Sequence, residues 1–238
     1  MPVAAITIDL NADLGEGFPW DAALISRVSS ASLSCGFHAG DRATILPTLR
    51  AAIARGISLG AHPGYPDREG FGRREMAMNR DEVASLILEQ CEALSQMAAE
   101  VGERIRFLKP HGALYNQAQR DPEIADGIVS GAASLGLPVL GLPGGDVQRA
   151  AGAAGVRFVA EGFADRGYRE DGRLIPRDQP GAILHDPEAI AEQVLRLVRS
   201  GRVKTLCLHG DNPESVALAD LVRATLDRHG ITVRGFAT

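Results

Sequence analysis

The 238-residue chain is predicted to fold as a single-domain α/β protein, a barrel of seven or eight parallel strands alternating with helices over residues 1–238. Three observations predict this fold class. Eight short apolar runs, most of them continuous instead of alternating, imply strands buried on both faces, as in parallel sheets. Segments with helical periodicity separate the runs, and no linker, low-complexity tract or charge block interrupts them. Six of the runs end in clusters of charged or imidazole side chains. An open doubly wound sheet would gather such groups at one switch point, whereas a closed barrel gathers them around one rim.

The strand-like runs cover residues 3–10, 32–35, 57–61, 105–108, 138–142, 156–160, 203–208 and 231–236. After the second, Ile45, Leu49, Ala52 and Ile53 recur at helical spacing, with Asp41 as N-cap and Gly56 as the stop. A longer helix is predicted over residues 81–101. There Val83, Leu86, Ile87, Leu94, Met97 and Val101 form one apolar stripe, Glu82, Glu89, Gln96 and Glu100 supply the wet face, and Gly102 ends it. Asp121-Pro122, Asp186-Pro187 and Asn212-Pro213 each place a capping side chain before a proline at the first helical position. Those helices run to residues near 135, 199 and 228. The Gly-rich stretch from Gly60 to Arg74 is long enough to form a mobile loop over a pocket.

Composition narrows the function. With 45% hydrophobic and 23% charged residues the chain matches an ordinary globular protein, not a disordered one. A formal net charge of −5, with no basic stripe interleaved with aromatics, argues against nucleic acid as a partner. Cys35, Cys91 and Cys207 are odd in number and widely spaced, which reads as free thiols in a reducing compartment. No apolar run approaches the ~20 residues that span a bilayer, and the opening residues carry no basic leader. The expectation is a cytoplasmic enzyme acting on small molecules, without a membrane partner.

The clusters carry the chemistry. In DLNADLGEG (residues 9–17), Asp9, Asn11 and Asp13 share a face if strand character persists through Asp13. That face suits a divalent cation, a general base or substrate NH groups; the competing reading is an Asx-rich turn. His38, His62, His111 and His209 each lie at the mouth of a different strand, which favours a shared pocket over four separate packing accidents. A zinc-type ion held by Asp13, His38 and His62 is compatible with these residues, but no HExxH and no cysteine pair specifies one. Lys109 in KPHGALYN, which ends at Asn116, can neutralise an anion or can be a surface lysine. Arg73 in the Gly-rich stretch suits a carboxylate or phosphate, with plain solubility as the alternative, and Asp41, Asn116, Asp165, Arg166 and Asp211 are further substrate- or phosphate-binding candidates. His209 with Asp211 reads either as an oriented base or as part of a helix cap, and the cysteines read as packing groups. No GxxxxGK[ST] motif is present, and LPGGD at residues 142–146 reads equally well as a weak phosphate loop or a tight turn into a helix.

Taken in order, DLNADLGEG, CGFHAGD, GAHPGYPDREGFGRR, KPHGALYN, FADR with Tyr168 two residues on, and HGDNP resemble the LamB/YcsF family of bacterial 5-oxoprolinase A subunits. The resemblance implies a distorted (βα) barrel related to polysaccharide deacetylases. It also implies ATP-dependent opening of 5-oxo-L-proline to L-glutamate together with subunits B and C, the ATP being bound through the complex. Asp13 or His38 would then act as base, His62, His111 or His209 as acid, and Lys109 or Arg73 would hold anionic groups. The chain departs from the family pattern between Arg202 and Lys204, where many members carry an extra segment before the strand that leads to HGDNP. Two other functions fit the same residues: a stand-alone metal-dependent deacetylase or amidohydrolase, and a non-catalytic subunit that binds a small lactam.

Overall fold

The computed structural model describes residues 6–237. Its strands follow one another around a ring in chain order: β1 (Thr7–Leu14), β2 (Ser30–Ser34), β3 (Ser58–His62), β4 (Phe107–Leu108), β5 (Val139–Gly141), β6 (Phe158–Phe163) and β7 (Thr205–Leu208). Every neighbouring pair is parallel, and β1 pairs with both β2 and β7, so the sheet closes into a barrel of seven strands. An eighth strand, β8 (Thr232–Val233), adds to the start of β1 through Thr7 and Ile8. The predicted architecture is the one observed.

Helices cover the outside: α1 (Asp21–Ile25), α2 (Arg42–Ala54), α3 (Arg80–Glu100), α4 (Gly112–Gln117), α5 (Pro122–Leu135), α6 (Asp146–Ala154), α7 (Pro187–Arg199) and α8 (Ser215–Arg228). Of the boundaries that differ from the sequence reading, three do so for identifiable reasons. The long helix begins at Arg80 because Asn79 caps it, accepting from the backbone N–H of Asp81 and Glu82. The last helix begins at Ser215, since the Asn212 side chain is spent on the N–H of Glu214 in the turn before it. The run at 231–236 yields only two strand residues, because Phe236 leaves the sheet and packs on Phe107, ring centroids 5.1 Å apart. Residues 3–5 of the first predicted strand lie outside the described residues. The short helices α1 and α4 escaped the periodicity, which five or six residues cannot display.

The interior divides into an apolar half and a polar half. Phe107, Leu140 and Val159 join Phe236 to plug one part of the barrel, and Gly60 leaves room for the Phe107 ring, which a Cβ there would overlap. On β1, Leu10, Ala12 and Leu14 are buried in the main core, while Asp9, Asn11 and Asp13 alternate with them. Their bonds to groups on β2, β6 and β7 and to Lys109, just past β4, place that face inside the ring. Strand character persists to Leu14, the condition on which the shared face depended.

Candidate active site

Inside the barrel the polar side chains of β1 are stacked in layers. Asp9 accepts from the hydroxyls of Ser29, Ser30 and Thr205, and burial raises its pKa to about 6 despite those bonds. Asn11 donates from its amide to Glu161 and Thr205, and its carbonyl accepts from Lys109 Nζ at 3.0 Å. Asp13, nearest the mouth, takes a 2.8 Å bond from the same ammonium. Lys109 Nζ also lies 3.0 Å from Glu161 Oε1 and 2.9 Å from Cys207 Sγ, and the residue is only 2% exposed. It is therefore neither a surface lysine nor free to reach a ligand. Burial disfavours its charge, but Asp13, Cys207 and Glu161 outweigh that and hold its pKa well above the usual value. Burial likewise opposes ionisation of Asp13, and the charge of His62 when that ring is protonated, together with the ammonium of Lys109, overcomes it, leaving the carboxylate ionised well below its ordinary range.

Four loops bring the imidazoles together. His62 ends β3, and its Nδ1 donates to the carbonyl of Lys109 at 2.7 Å. His111, at the start of α4, donates from Nε2 to the carbonyl of Phe71 at 2.8 Å. Phe71 reaches that position with φ of 55°, a left-handed backbone that a bulky residue rarely adopts. His38 stacks flat on His111, centroids 3.9 Å apart, and its Nε2 lies 3.2 Å from Glu16 Oε1. Burial foremost pushes His38 down to about 3, and burial with the neighbouring rings holds His111 well below the usual imidazole value. Glu16 sits among the three rings, and burial together with the charge of Asp13 raises its pKa well above the ordinary carboxyl value.

These groups open into a cavity of about 560 Å³ at the C-terminal ends of the strands. Asp13, Glu16, His62, His111 and His209 line it, together with Arg73, Asn116, Arg166 and Asp211. His209 follows β7 with its ring against Phe163, centroids 5.4 Å apart. Its Nδ1 lies 3.4 Å from Asp165 Oδ1, so Asp165, not Asp211, is the carboxylate that faces this imidazole. Burial raises Asp165, but His209 outweighs it and the carboxyl stays below its usual value. Asp211 instead receives Arg73, with Arg177 at 3.8 Å. A ring nitrogen of His209, a carboxylate oxygen of Asp13 and the Cys207 sulfur all lie within 4.8 Å of one another.

Nine of the fourteen residues singled out from the sequence line this cavity: Asp13, His62, Arg73, Lys109, His111, Asn116, Arg166, His209 and Asp211. Asp9, Asn11, His38 and Asp165 lie behind them and touch the lining groups or their neighbours. Asp41 is elsewhere. Its exposed carboxylate caps α2 by accepting from the N–H of Thr44, so the helix-start reading holds and the ligand reading does not. Arg166 lines the wall but its guanidinium is committed to the carbonyls of Ala182 and Ile175, which pins the segment between β6 and α7. Glu16 and Tyr115 also line the cavity and were not singled out. Glu16 is visible as a third acid in DLNADLGEG, but no spacing rule shows that the turn folds it back over His38. Tyr115 lies within KPHGALYN, and its buried hydroxyl finds no hydrogen-bond partner among the described residues.

The LamB/YcsF family model matches residues 8–238. The chain belongs to the LamB/YcsF family. A relative from Methylococcus capsulatus, named as the A subunit of 5-oxoprolinase, is 45% identical over 248 aligned positions, covering 96% of this chain and 95% of that one. The crystal structure of a lactam utilization protein from Thermus thermophilus superposes with a TM-score of 0.90 at 41% identity, covering 97% of this chain and 100% of that one. A peptidoglycan N-acetylglucosamine deacetylase domain from Eubacterium rectale superposes with a TM-score of 0.57 at 12% identity, covering 100% of this chain and 91% of that one. The last shows that the LamB/YcsF barrel shares its fold with carbohydrate deacetylases. Among the described residues no helix is long and apolar enough to cross a membrane.

Proposed function

We propose that this LamB/YcsF chain is the A subunit of an ATP-dependent 5-oxoprolinase and carries out the hydrolytic half of the reaction. The relative named as a 5-oxoprolinase A subunit, at 45% identity along nearly the whole chain, supports the substrate. The observation that carries the hydrolytic assignment is Asp13, a buried carboxylate held ionised by the ammonium of Lys109 at 2.8 Å and lining an otherwise accessible cavity. Such a group is a base held ready for a water molecule.

A γ-lactam is a poor electrophile, so its carbonyl needs activation before water attacks. In the proposed sequence subunits B and C bind ATP and transfer its terminal phosphoryl group to the lactam oxygen, in the cytoplasm where ATP is made. Asp13 then accepts a proton from water as the oxygen bonds to the ring carbon. The carbon–nitrogen bond breaks as His209 gives its proton to the departing amine, leaving γ-glutamyl phosphate, and a second water then displaces phosphate from that carbonyl carbon to form the γ-carboxylate. The products are L-glutamate and phosphate. Lys109 acts by holding Asp13 ionised, and Arg73 with the neighbouring rim arginines receives the anionic groups. His38 lies too deep to serve as the base.

The test is glutamate release from 5-oxoproline and ATP by the complex reconstituted with subunits B and C. Asp13→Asn and His209→Ala each should lower turnover by roughly 10²–10⁴-fold. Full turnover in both variants would remove the hydrolytic step from this cavity.

A further inference from the structure

Ordinary imidazole tautomers leave one contact in this pocket unsatisfied. His62 Nδ1 and His111 Nε2 both bond to backbone carbonyls, which only accept, so these nitrogens carry the ring hydrogens. The other two, His62 Nε2 and His111 Nδ1, are then bare, and they face each other at 3.0 Å. The nearest further groups are carboxylate oxygens. Glu16 Oε1 lies 3.4 Å from His111 Nδ1 and 4.0 Å from His62 Nε2, and Asp13 Oδ2 lies 3.5 Å from His62 Nε2. Lone pairs converge here on a buried point, and buried polar atoms without partners are costly.

We infer that His62 Nε2, His111 Nδ1 and Glu16 Oε1 bind one divalent transition-metal ion of the zinc type, in a site open toward the cavity. The donor atoms already lie within 4.8 Å of one another. Two imidazoles and a carboxylate are a donor set of catalytic zinc, and tetrahedral bonds of about 2.0–2.1 Å place two ligand nitrogens roughly 3.3 Å apart. The observed 3.0 Å separation reaches that with a shift of a few tenths of an ångström. Groups that orient the ligands are also present. Backbone carbonyls fix both tautomers, and His38 Nε2 meets Glu16 at 3.2 Å. His38 is thus a positioning residue, and the ligand set differs from the Asp13, His38 and His62 expected from sequence. An ion here would lower the pKa of a bound water to about 7, next to Asp13.

This inference deepens the hydrolytic reading above, but its test does not depend on turnover. Full-length chain is stripped with a chelator, loaded with Zn(II) or Co(II), desalted and analysed for metal content and for the visible spectrum of cobalt. One ion per chain and cobalt bands typical of four- or five-coordination are expected. His62→Ala and His111→Ala should each weaken binding at least 100-fold, His38→Gln about tenfold, and Asp41→Ala not at all. Less than a tenth of an ion per chain in the unaltered protein, or six-coordinate cobalt bands unmoved by the histidine variants, would overturn the site and leave a shared proton between the rings. The spectrum of the unaltered chain keeps the test decisive should a variant fail to fold. Metal bound stoichiometrically by a complex that never releases glutamate would sink the functional reading and spare the site; full turnover by a metal-free complex would do the reverse.

Discussion

Lys109 concentrates the cost and the use of this interior in one side chain. Its ammonium meets Asp13, Asn11, Glu161 and Cys207 with almost no exposure to water. Removing one partner of such a set leaves the others as uncompensated buried charges, worth roughly 3–5 kcal/mol. Lys109→Met should therefore lower unfolding stability by about that amount in urea titrations. It should also move the acid limb of the pH–rate profile upward, because Asp13 loses a cation that holds it ionised; an unmoved limb would mean that Lys109 does not tune Asp13. Asp9 makes the opposite case. Its folded pKa of about 6 lies above the unfolded value of 3.8, so the native state binds more protons between these values and its stability falls as pH rises through that window. The shift corresponds to roughly 3 kcal/mol, fully lost above pH 6. Asp9→Asn should gain on the unaltered chain by up to that amount between pH 4 and pH 7, and a difference that stays constant with pH would contradict the burial account.

At the scale of elements, Asp41 and Gly60 show which sequence signals carry structural meaning. Asp41 and Thr44 form a reciprocal capping box at the start of α2, worth about 1 kcal/mol. Asp41→Ala should cost that much stability while turnover stays within twofold; a loss of turnover would return Asp41 to the site. Gly60→Ala forces a methyl group into the Phe107 ring inside the barrel, and overpacking of this kind costs about 1–3 kcal/mol. Thermal unfolding should register it as a lower midpoint, with no change if the ring can move aside. All eight strands were legible because continuous apolar runs bounded by Gly, Pro and Asp leave little else for a buried segment to be. The three Asp/Asn-Pro helix entries were legible through capping chemistry, although Asn212 caps a preceding turn. The two short helices and the role of Phe71 were not, since both rest on tertiary contacts. Nothing local predicts that Phe71 adopts a positive φ to offer its carbonyl to His111.

The whole molecule explains why the site residues could be collected from sequence while their roles could not. Closure of a parallel barrel sends every strand's C-terminal end to one rim, so Asp13, His62, Lys109, His111 and His209 had to converge once the fold was right. Which of them touches a ligand depends on pairings across the barrel, and these link residues separated by 98 positions for Lys109 and Asn11 or by 150 for Asn11 and Glu161. The distribution of charge is a second property of the whole. The chain carries a net −5, yet Arg73, Arg120, Arg166, Arg169, Arg173 and Arg177 all line the cavity. Arg120 and Arg173 are paired with Glu75 and Asp171, and Arg73 and Arg177 share the single carboxylate of Asp211, so the field at the mouth is the unbalanced remainder. A positive funnel in an acidic surface selects small anions over polyanions and acts on encounter, with a reach set by a Debye length of about 10 Å at 0.1 M salt. For the proposed anionic substrate, kcat/KM of the complex at saturating B and C subunits should fall roughly tenfold as ionic strength rises from about 0.02 to 0.3 M, with the change in KM and not in kcat. Arg173→Ala combined with Arg177→Ala should raise KM several-fold at low salt and flatten that dependence, because the funnel has lost two of its charges. A salt response identical to that of the unaltered complex would show that the rim arginines serve the fold alone.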